Sequence, residues 1–330
     1  MKLNITNVQQ AKTLGPGPDG TFARIGAQGG TEMMAAKILS RVDPKLLEQV
    51  NIIHSRVRPE MLDPNKKTIL VLHDTWDDPE SEHLALKASR DRFAKLVFVS
   101  HYQQATYNIG RGVPYGDGVV IQNAIEPIDV TPEDKESDTI RLIYHTTPHR
   151  GLELLVPCVE RLAEIHPNIH LDVFSSFNIY GWPGRDEPYK ALFERIDNHP
   201  NMTYHGFQSN ETVRSALKKA HIYAYPCIWP ETSCISAIEA MSAGCFVVTT
   251  SLAALPETTA NFASMCSYNE NWDVLANRYV NLLNAAIFDY ENVKARLEFQ
   301  KIYTNGFYNW DLRSAQWNAF LGSILTDGKA

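Results

Sequence analysis

The chain has 330 residues, 44% of them hydrophobic and 21% charged, a balance that excludes disordered and collagen-like chains and a length that implies about two globular domains. Thirty-one basic against 38 acidic side chains give a net charge of −7, so neither a broad basic face nor a nucleic-acid partner is expected. The five cysteines (Cys158, Cys227, Cys234, Cys245, Cys266) are odd in number and lack a Cys-x-x-Cys pair, against both a disulfide framework and a structural zinc site.

The opening MKLNITNVQQ has no apolar core of signal-peptide length, and no run approaches the ~18 apolar residues of a membrane-spanning helix. A cytoplasmic protein is expected, with peripheral contact as its only membrane association. The pattern GPGPDG, from Gly15 to Gly20, has dinucleotide-fingerprint spacing, but Pro16 and Pro18 prevent the tight strand-to-helix turn that the fingerprint requires. Gly29-Gly30 then precede a predicted helix over Thr31–Ser40, where backbone can approach a ligand closely.

Short β-branched runs alternate with amphipathic segments from here on, the pattern of an α/β chain with parallel strands and crossover helices. Strands are predicted at Val50–His54, Thr68–His73, Leu96–Ser100 and Val119–Gln122, and helices at Ser81–Arg92 and Tyr102–Gly110. The second strand ends in His73-Asp74, followed by Thr75, Trp76, Asp77 and Asp78. Polar residues at the carboxyl end of a parallel strand belong to the ligand crevice. Asp77 and Asp78 are expected to cap the segment after Pro79 rather than to hold a metal. Asn123 to Ile140 carries two prolines and six carboxylates against one lysine, which reads as a solvated linker with little to bury. The boundary is placed there, giving domains over 1–130 and 131–308.

The second half restarts with a strand at Ile140–His145 and repeats the unit at Leu171–Phe174, Thr203–Gly206, Ile222–Tyr225 and Phe246–Thr249. Arg150-Gly151 close the loop after its first strand, so a guanidinium sits at a helix N-terminus, where an anion is favoured. His166 and His170 have the spacing of a helical metal pair, but Pro167 lies between them and a structural role is expected. Residues 177–188 mix three aromatics with glycines and prolines; a rigid connection is expected, with Tyr180 and Trp182 as acceptor contacts at most. The tail, residues 309–330, places Trp310, Trp317, Phe320, Leu321 and Ile324 on one helical face, which must cover another apolar surface; the first domain is the expected target.

The most informative segment is PCIWPETSCISAIEAMSAGCFVVTT, residues 226–250. Two glutamates, Glu231 and Glu239, lie eight positions apart; on one helix that puts them ~12 Å apart along the axis and about 80° around it. They suit hydroxyls at opposite ends of an elongated ligand such as a nucleotide-sugar. Between them the backbone N–H groups of Ser233, Cys234 and Ile235 open a helix, free donors for a phosphate or a polar sugar edge. Glu239 stands among Ile238, Ala240, Met241 and Ala243, so its turn is apolar and the carboxylate needs a partner.

This segment resembles the retaining glycosyltransferases of family 4. Glu231, Glu239 and Ala243-Gly244 match their glutamate pair with seven residues between, followed by a small-residue helix end, a glycine and a strand. The resemblance implies the GT-B fold, two Rossmann-like parallel-sheet domains facing across a cleft. It further implies that Glu231 and the amides of Ser233, Cys234 and Ile235 contact the donor sugar, that Glu239 holds the nucleotide ribose, and that Arg150 meets the donor diphosphate. Gly29-Gly30 match the glycine loop beside the donor phosphates, His73 the histidine near the reacting sugar, and Phe207 a loop near the base. Where the family commonly carries an arginine about five residues before the basic residue, this chain has His145.

The reading is a hexosyltransferase with a nucleotide diphosphate sugar as donor, a glycan, lipid-linked or small-molecule acceptor and no cofactor. The chain contains no Asp-x-Asp, and no metal is expected. A nucleotide-sugar epimerase of similar plan and a non-catalytic sugar-binding protein are the alternatives.

Overall fold

A computed structural model describes residues 29–326; the readings of MKLNITNVQQ and of Gly15 to Gly20 fall outside these. The first domain carries α1 (Gly30–Arg41), α2 (Pro44–Leu47), β1 (Val50–His54), β2 (Lys67–Leu72), α3 (Lys87–Arg90), β3 (Lys95–Phe98), α4 (His101–Arg111) and β4 (Gly118–Val120). The second carries β5 (Ile140–Tyr144), α5 (Leu152–Ala163), β6 (Ile169–Val173), α6 (Lys190–Asp197), β7 (Met202–Tyr204), α7 (Asn210–Lys219), β8 (Ile222–Tyr225) and α8 (Ile235–Ser242). It continues with β9 (Phe246–Thr250), α9 (Leu255–Thr258), β10 (Ser264–Cys266), α10 (Trp272–Phe288) and α11 (Tyr290–Phe307), and α12 (Trp310–Thr326) ends the described chain.

Both sheets are parallel. The first has the order β1-β2-β3-β4, the second β10-β9-β8-β5-β6-β7. Strands β8 and β9 are buried at every residue, as parallel strands covered on both faces must be. In the second sheet the chain runs from β5 outward through β6 to β7, then returns to lay β8 on the other side of β5. Beyond the carboxyl ends of β5 and β8 the crossovers diverge to opposite faces, which opens a crevice there.

Two sequence expectations are corrected, and one strand was not foreseen. The helix expected over Ser81–Arg92 is a 3-10 helix, Pro79–Ala85, followed by the one-turn α3; Asp78 caps the former by accepting from the Glu80 amide at 2.8 Å. Residues 264–266 form a strand that their mixed composition hides. The linker's first half is buried: Ala124, Ile125 and Ile128 are at most 4% exposed, because their apolar side chains alternate with the carboxylates that dominate the stretch's average. The Ile125 amide donates to the Tyr308 carbonyl at 2.8 Å, and the Ile128 amide to Ser242 Oγ at 2.8 Å.

Helix α12 turns Trp310, Trp317 and Leu321 into the cluster formed by Met34, Ile38, Val50, Ile69 and Val97 of the first sheet and its helix α1. Lys67 Nζ donates to the Ile324 carbonyl at 2.6 Å and the Asp43 amide to Asn318 Oδ1 at 2.9 Å. Trp317 is 3% exposed, so Trp317→Ala should lower unfolding free energy by about 3–5 kcal/mol, the cost of truncating a buried tryptophan. Urea denaturation checks this; a loss under about 1 kcal/mol would mean that the tail contributes little to the core.

Candidate active site

The crevice at the ends of β5 and β8 is where the sequence-selected residues gather. The loop after β5 carries His145 to Arg150 and ends at Gly151, whose φ of 136° is open to glycine and whose absent Cβ leaves room for the Pro226 carbonyl. That approach brings the β5 and β8 loops together. Arg150 Nη1 lies 2.6 Å from Glu231 Oε1, and the Tyr225 hydroxyl donates to the same oxygen at 2.6 Å. The Arg150 guanidinium also stands 5.7 Å from the centre of the Trp229 ring. Burial works against its charge, but Glu231, with Tyr180 and Tyr225, outweighs it and holds its pKa well above the ordinary value.

Glu231 does not share a helix with Glu239, as the helical spacing assumed. It sits in the extended loop before α8, its amide bonded to the Trp229 carbonyl at 2.8 Å and its carbonyl accepting from the Ala254 amide at 3.0 Å. Cys234 is the N-cap of α8 and gives no side-chain cap. Ser233, Cys234 and Ile235 therefore bring the open end of α8 between the two glutamates.

Glu239 is mostly buried on α8. Burial raises its pKa, and Arg214 opposes that rise. Arg214 Nη1 lies 2.6 Å from Glu239 Oε1, while its Nη2 donates to the carbonyls of Glu126 and Pro127 at 2.7 and 3.3 Å. Sequence reasoning missed Arg214, although the apolar turn around Glu239 demanded a cation and NETVRSALKK was the amphipathic helix before β8.

The first domain supplies the facing wall. Thr232 Oγ1 donates to the His73 carbonyl at 2.7 Å, so the end of β2 meets the Glu231 loop directly. His73 Nε2 is 3.1 Å from His54 Nδ1, with the two rings stacked. Burial first, and His54 second, push His73 down to about 3, so it is a neutral hydrogen-bonding group at physiological pH. At the N-terminus of α1, a Cβ on Gly29 would stand 2.7 Å from the Tyr180 ring and one on Gly30 3.1 Å from Ile235 Cδ1. These glycines let the domains touch. The 177–188 loop is thus part of the wall rather than a remote connection, and Trp182 packs beside Tyr180 with centroids 5.3 Å apart.

His145 fills the place of the expected arginine. Burial lowers it to about 3, and its buried Nε2 has no hydrogen-bond partner. Phe207 is 38% exposed in the loop after β7. His166 and His170 bond Asn284 and Thr203 instead of sharing a ligand. Among the described residues, no group of three or more His, Cys, Asp or Glu side chains is placed to hold a metal ion, and no helix is long and apolar enough to cross a membrane.

The family of glycosyl transferases group 1 matches residues 126–295, just over half of the chain. The chain belongs to this family. One subunit of the human phosphatidylinositol N-acetylglucosaminyltransferase is 28% identical over 141 residues, 42% of this chain and 28% of the human protein. The gpi3 subunit of the corresponding Schizosaccharomyces pombe enzyme is 22% identical over 195 residues, 58% of this chain and 40% of that protein. The chain thus spans less than half the length of these curated relatives. Among solved structures, Anabaena HepE in complex with UDP-glucose superposes with a TM-score of 0.69 at 14% identity, covering 92% of this chain and 98% of that one. The shared fold is the two-domain GT-B architecture.

Proposed function

We propose that this chain is a retaining hexosyltransferase that moves a sugar from a nucleoside diphosphate donor to a carbohydrate or glycolipid acceptor on the cytoplasmic side of the cell. One observation carries the reading: two charge pairs, Arg150–Glu231 and Arg214–Glu239, flank the uncapped N-terminus of α8 at the switch point of the second sheet. The spacing suits a ligand with a ribose at the Glu239 end and a sugar at the Glu231 end. Residues 131–308 are read as the donor half, the first domain with the tail as the acceptor half. The names of the relatives make a phosphatidylinositol the first acceptor to try and an N-acetylhexosamine the first sugar.

In this reading the donor diphosphate displaces Glu231 from Arg150, so that the guanidinium and the amides of Ser233, Cys234 and Ile235 face phosphate oxygens, with Gly29-Gly30 closing from the first domain. As the anomeric C–O bond breaks, charge grows on the departing phosphate, and these fixed donors stabilise it. The acceptor hydroxyl attacks on the face that the leaving group vacates, and its proton passes to a phosphate oxygen of the leaving diphosphate. The configuration is retained. His73, neutral and beside Thr232, is placed to hydrogen-bond the transferring sugar.

A thermal-shift screen with UDP, GDP, ADP and TDP tests the donor half, since a ligand specific to the folded state stabilises it by RT ln(1 + [L]/Kd). One nucleotide is expected to stand out, and no shift with any of the four would sink the reading. Transfer is expected to persist in EDTA, with charge neutralised by Arg150 and helix-end amides. Complete loss restored by magnesium or manganese would instead draw attention to Asp74, Asp77 and Asp78.

A further inference from the structure

The donor and acceptor walls belong to different domains, so their relative placement depends on what ties the domains together. One carboxylate stands out. Glu257, on the short helix α9 of the second domain, receives four hydrogen bonds from the first. Its Oε1 accepts from the His101 amide at 2.9 Å, from Gln122 Nε2 at 3.2 Å and contacts His101 Nδ1 at 3.0 Å; its Oε2 accepts from the Tyr102 amide at 2.8 Å. His101 and Tyr102 are the first residues of α4, whose own cap, Ser100, takes only the Gln103 amide. The two amides left over, and the positive end of the helix dipole, meet the carboxylate of the other domain.

The grip is connected to both walls. Within α4, the next residue inward, Gln103, is fully buried and donates from Nε2 to the carbonyls of Leu72 and Asp74 at 3.1 and 2.9 Å. These carbonyls flank His73. On the other side, Ala254, which precedes α9, donates its amide to the Glu231 carbonyl. Thr232 closes the circuit through the His73 carbonyl. A closed ring of contacts results: Glu231 to Ala254, Glu257 to α4, Gln103 to both neighbours of His73, and His73 back to Thr232. The pivot is local as well, because Gln122 starts the first chain crossing between domains and the Tyr308 hydroxyl of the second crossing donates to the Thr258 carbonyl at 3.0 Å.

We infer that Glu257 is a positioning residue that fixes the angle between the two domains and so holds the His73 wall in register with Glu231. Nothing in the ring between Glu257 and His73 belongs to the donor half. Loss of the carboxylate therefore leaves Arg150, Glu231, Glu239 and the α8 amides as they are, and frees α4 with the end of β2 to swing away. The Thr232–His73 bond, and the packing of Ile235 against the first-domain cluster, then remain as the contacts across the gap beside Glu231. The effect expected on turnover rests on the proposed function; the effect on domain angle does not.

The test uses the whole chain as Glu257→Ala and Glu257→Gln, compared with the parent by small-angle X-ray scattering without ligand, by UDP calorimetry and by transfer rate. Glu257→Ala is expected to raise the radius of gyration, leave UDP affinity within about twofold and lower kcat by about ten- to a hundredfold, the scale that ~1 Å misplacements produce. Glu257→Gln keeps the length and one acceptor oxygen and should fall between, and it carries the comparison should Glu257→Ala fail to fold. Scattering and turnover indistinguishable from the parent would overturn the inference, and so would a loss of UDP affinity as large as the loss of turnover. A parent that binds no nucleotide refutes the proposed function instead, and the scattering comparison alone then decides the role of Glu257.

Discussion

Arg150→Ala is expected to weaken nucleoside diphosphate binding by about ten- to a hundredfold, the loss of a charged hydrogen-bond partner worth on the order of 1.5–3 kcal/mol, while nucleoside binding changes little. The difference follows from the position of the guanidinium, at the end of the loop after β5 and paired with Glu231, whereas Glu239 pairs with Arg214. The same variant should also be less stable, because Glu231, only 8% exposed, keeps Tyr225 as its sole partner from the present pair; truncating one side of a buried ion pair costs about 3–5 kcal/mol. Glu231→Ala in the same chain removes the stranded carboxylate and should recover part of that stability without recovering diphosphate affinity. Arg150→Lys should return some affinity, since a point charge serves a phosphate without the planar fork. Calorimetry with UDP against uridine separates the effects. Equal losses for the two ligands would show that Arg150 acts through folding alone.

Glu239→Ala is expected to weaken UDP and uridine alike, because the group proposed to meet it is the ribose, common to both. Glu231→Ala should mainly lower turnover. Arg214 sharpens the comparison: it orients the Glu239 carboxylate at 2.6 Å and is itself anchored on the Glu126 and Pro127 carbonyls, so Arg214→Ala should reproduce part of the Glu239→Ala loss without removing any group proposed to touch ligand. Unchanged uridine affinity in Glu239→Ala would exclude the carboxylate from that role.

What the sequence made legible follows from how local each feature is. The alternation of apolar runs fixed nine strands closely, since a parallel strand is marked by its own residues. Residues 264–266 escaped because a three-residue edge strand needs only one neighbour, β9, and no continuous apolar run. The glutamate pair and Arg150 were visible as charged residues at element ends in an apolar setting. Their partners were not. Nothing in the spacing of residues 150 and 231 announces an ion pair, because the contact depends on β8 returning to the flank of β5, a choice made by the packing of the whole sheet. Arg214 and Glu257 lie one step further from view: each looks like an ordinary helical surface charge until the segment it grips, 126–127 in one case and the start of α4 in the other, is placed beside it. The buried half of the linker was hidden for a different reason, since an average over the whole stretch cannot show that its few apolar side chains, Ala124, Ile125 and Ile128, each enter a separate hydrophobic cluster.

The way helix α12 completes the first domain bears on how the protein is made. A chain leaving the ribosome folds its amino-terminal units first, yet here the sheet of β1 to β4 emerges with the face that Trp310, Trp317 and Leu321 will occupy still bare. The whole second domain must be synthesised before that face is covered. Until then part of the first domain's apolar cluster lacks its cover, and the last segment of the described chain to be made is the one that completes it.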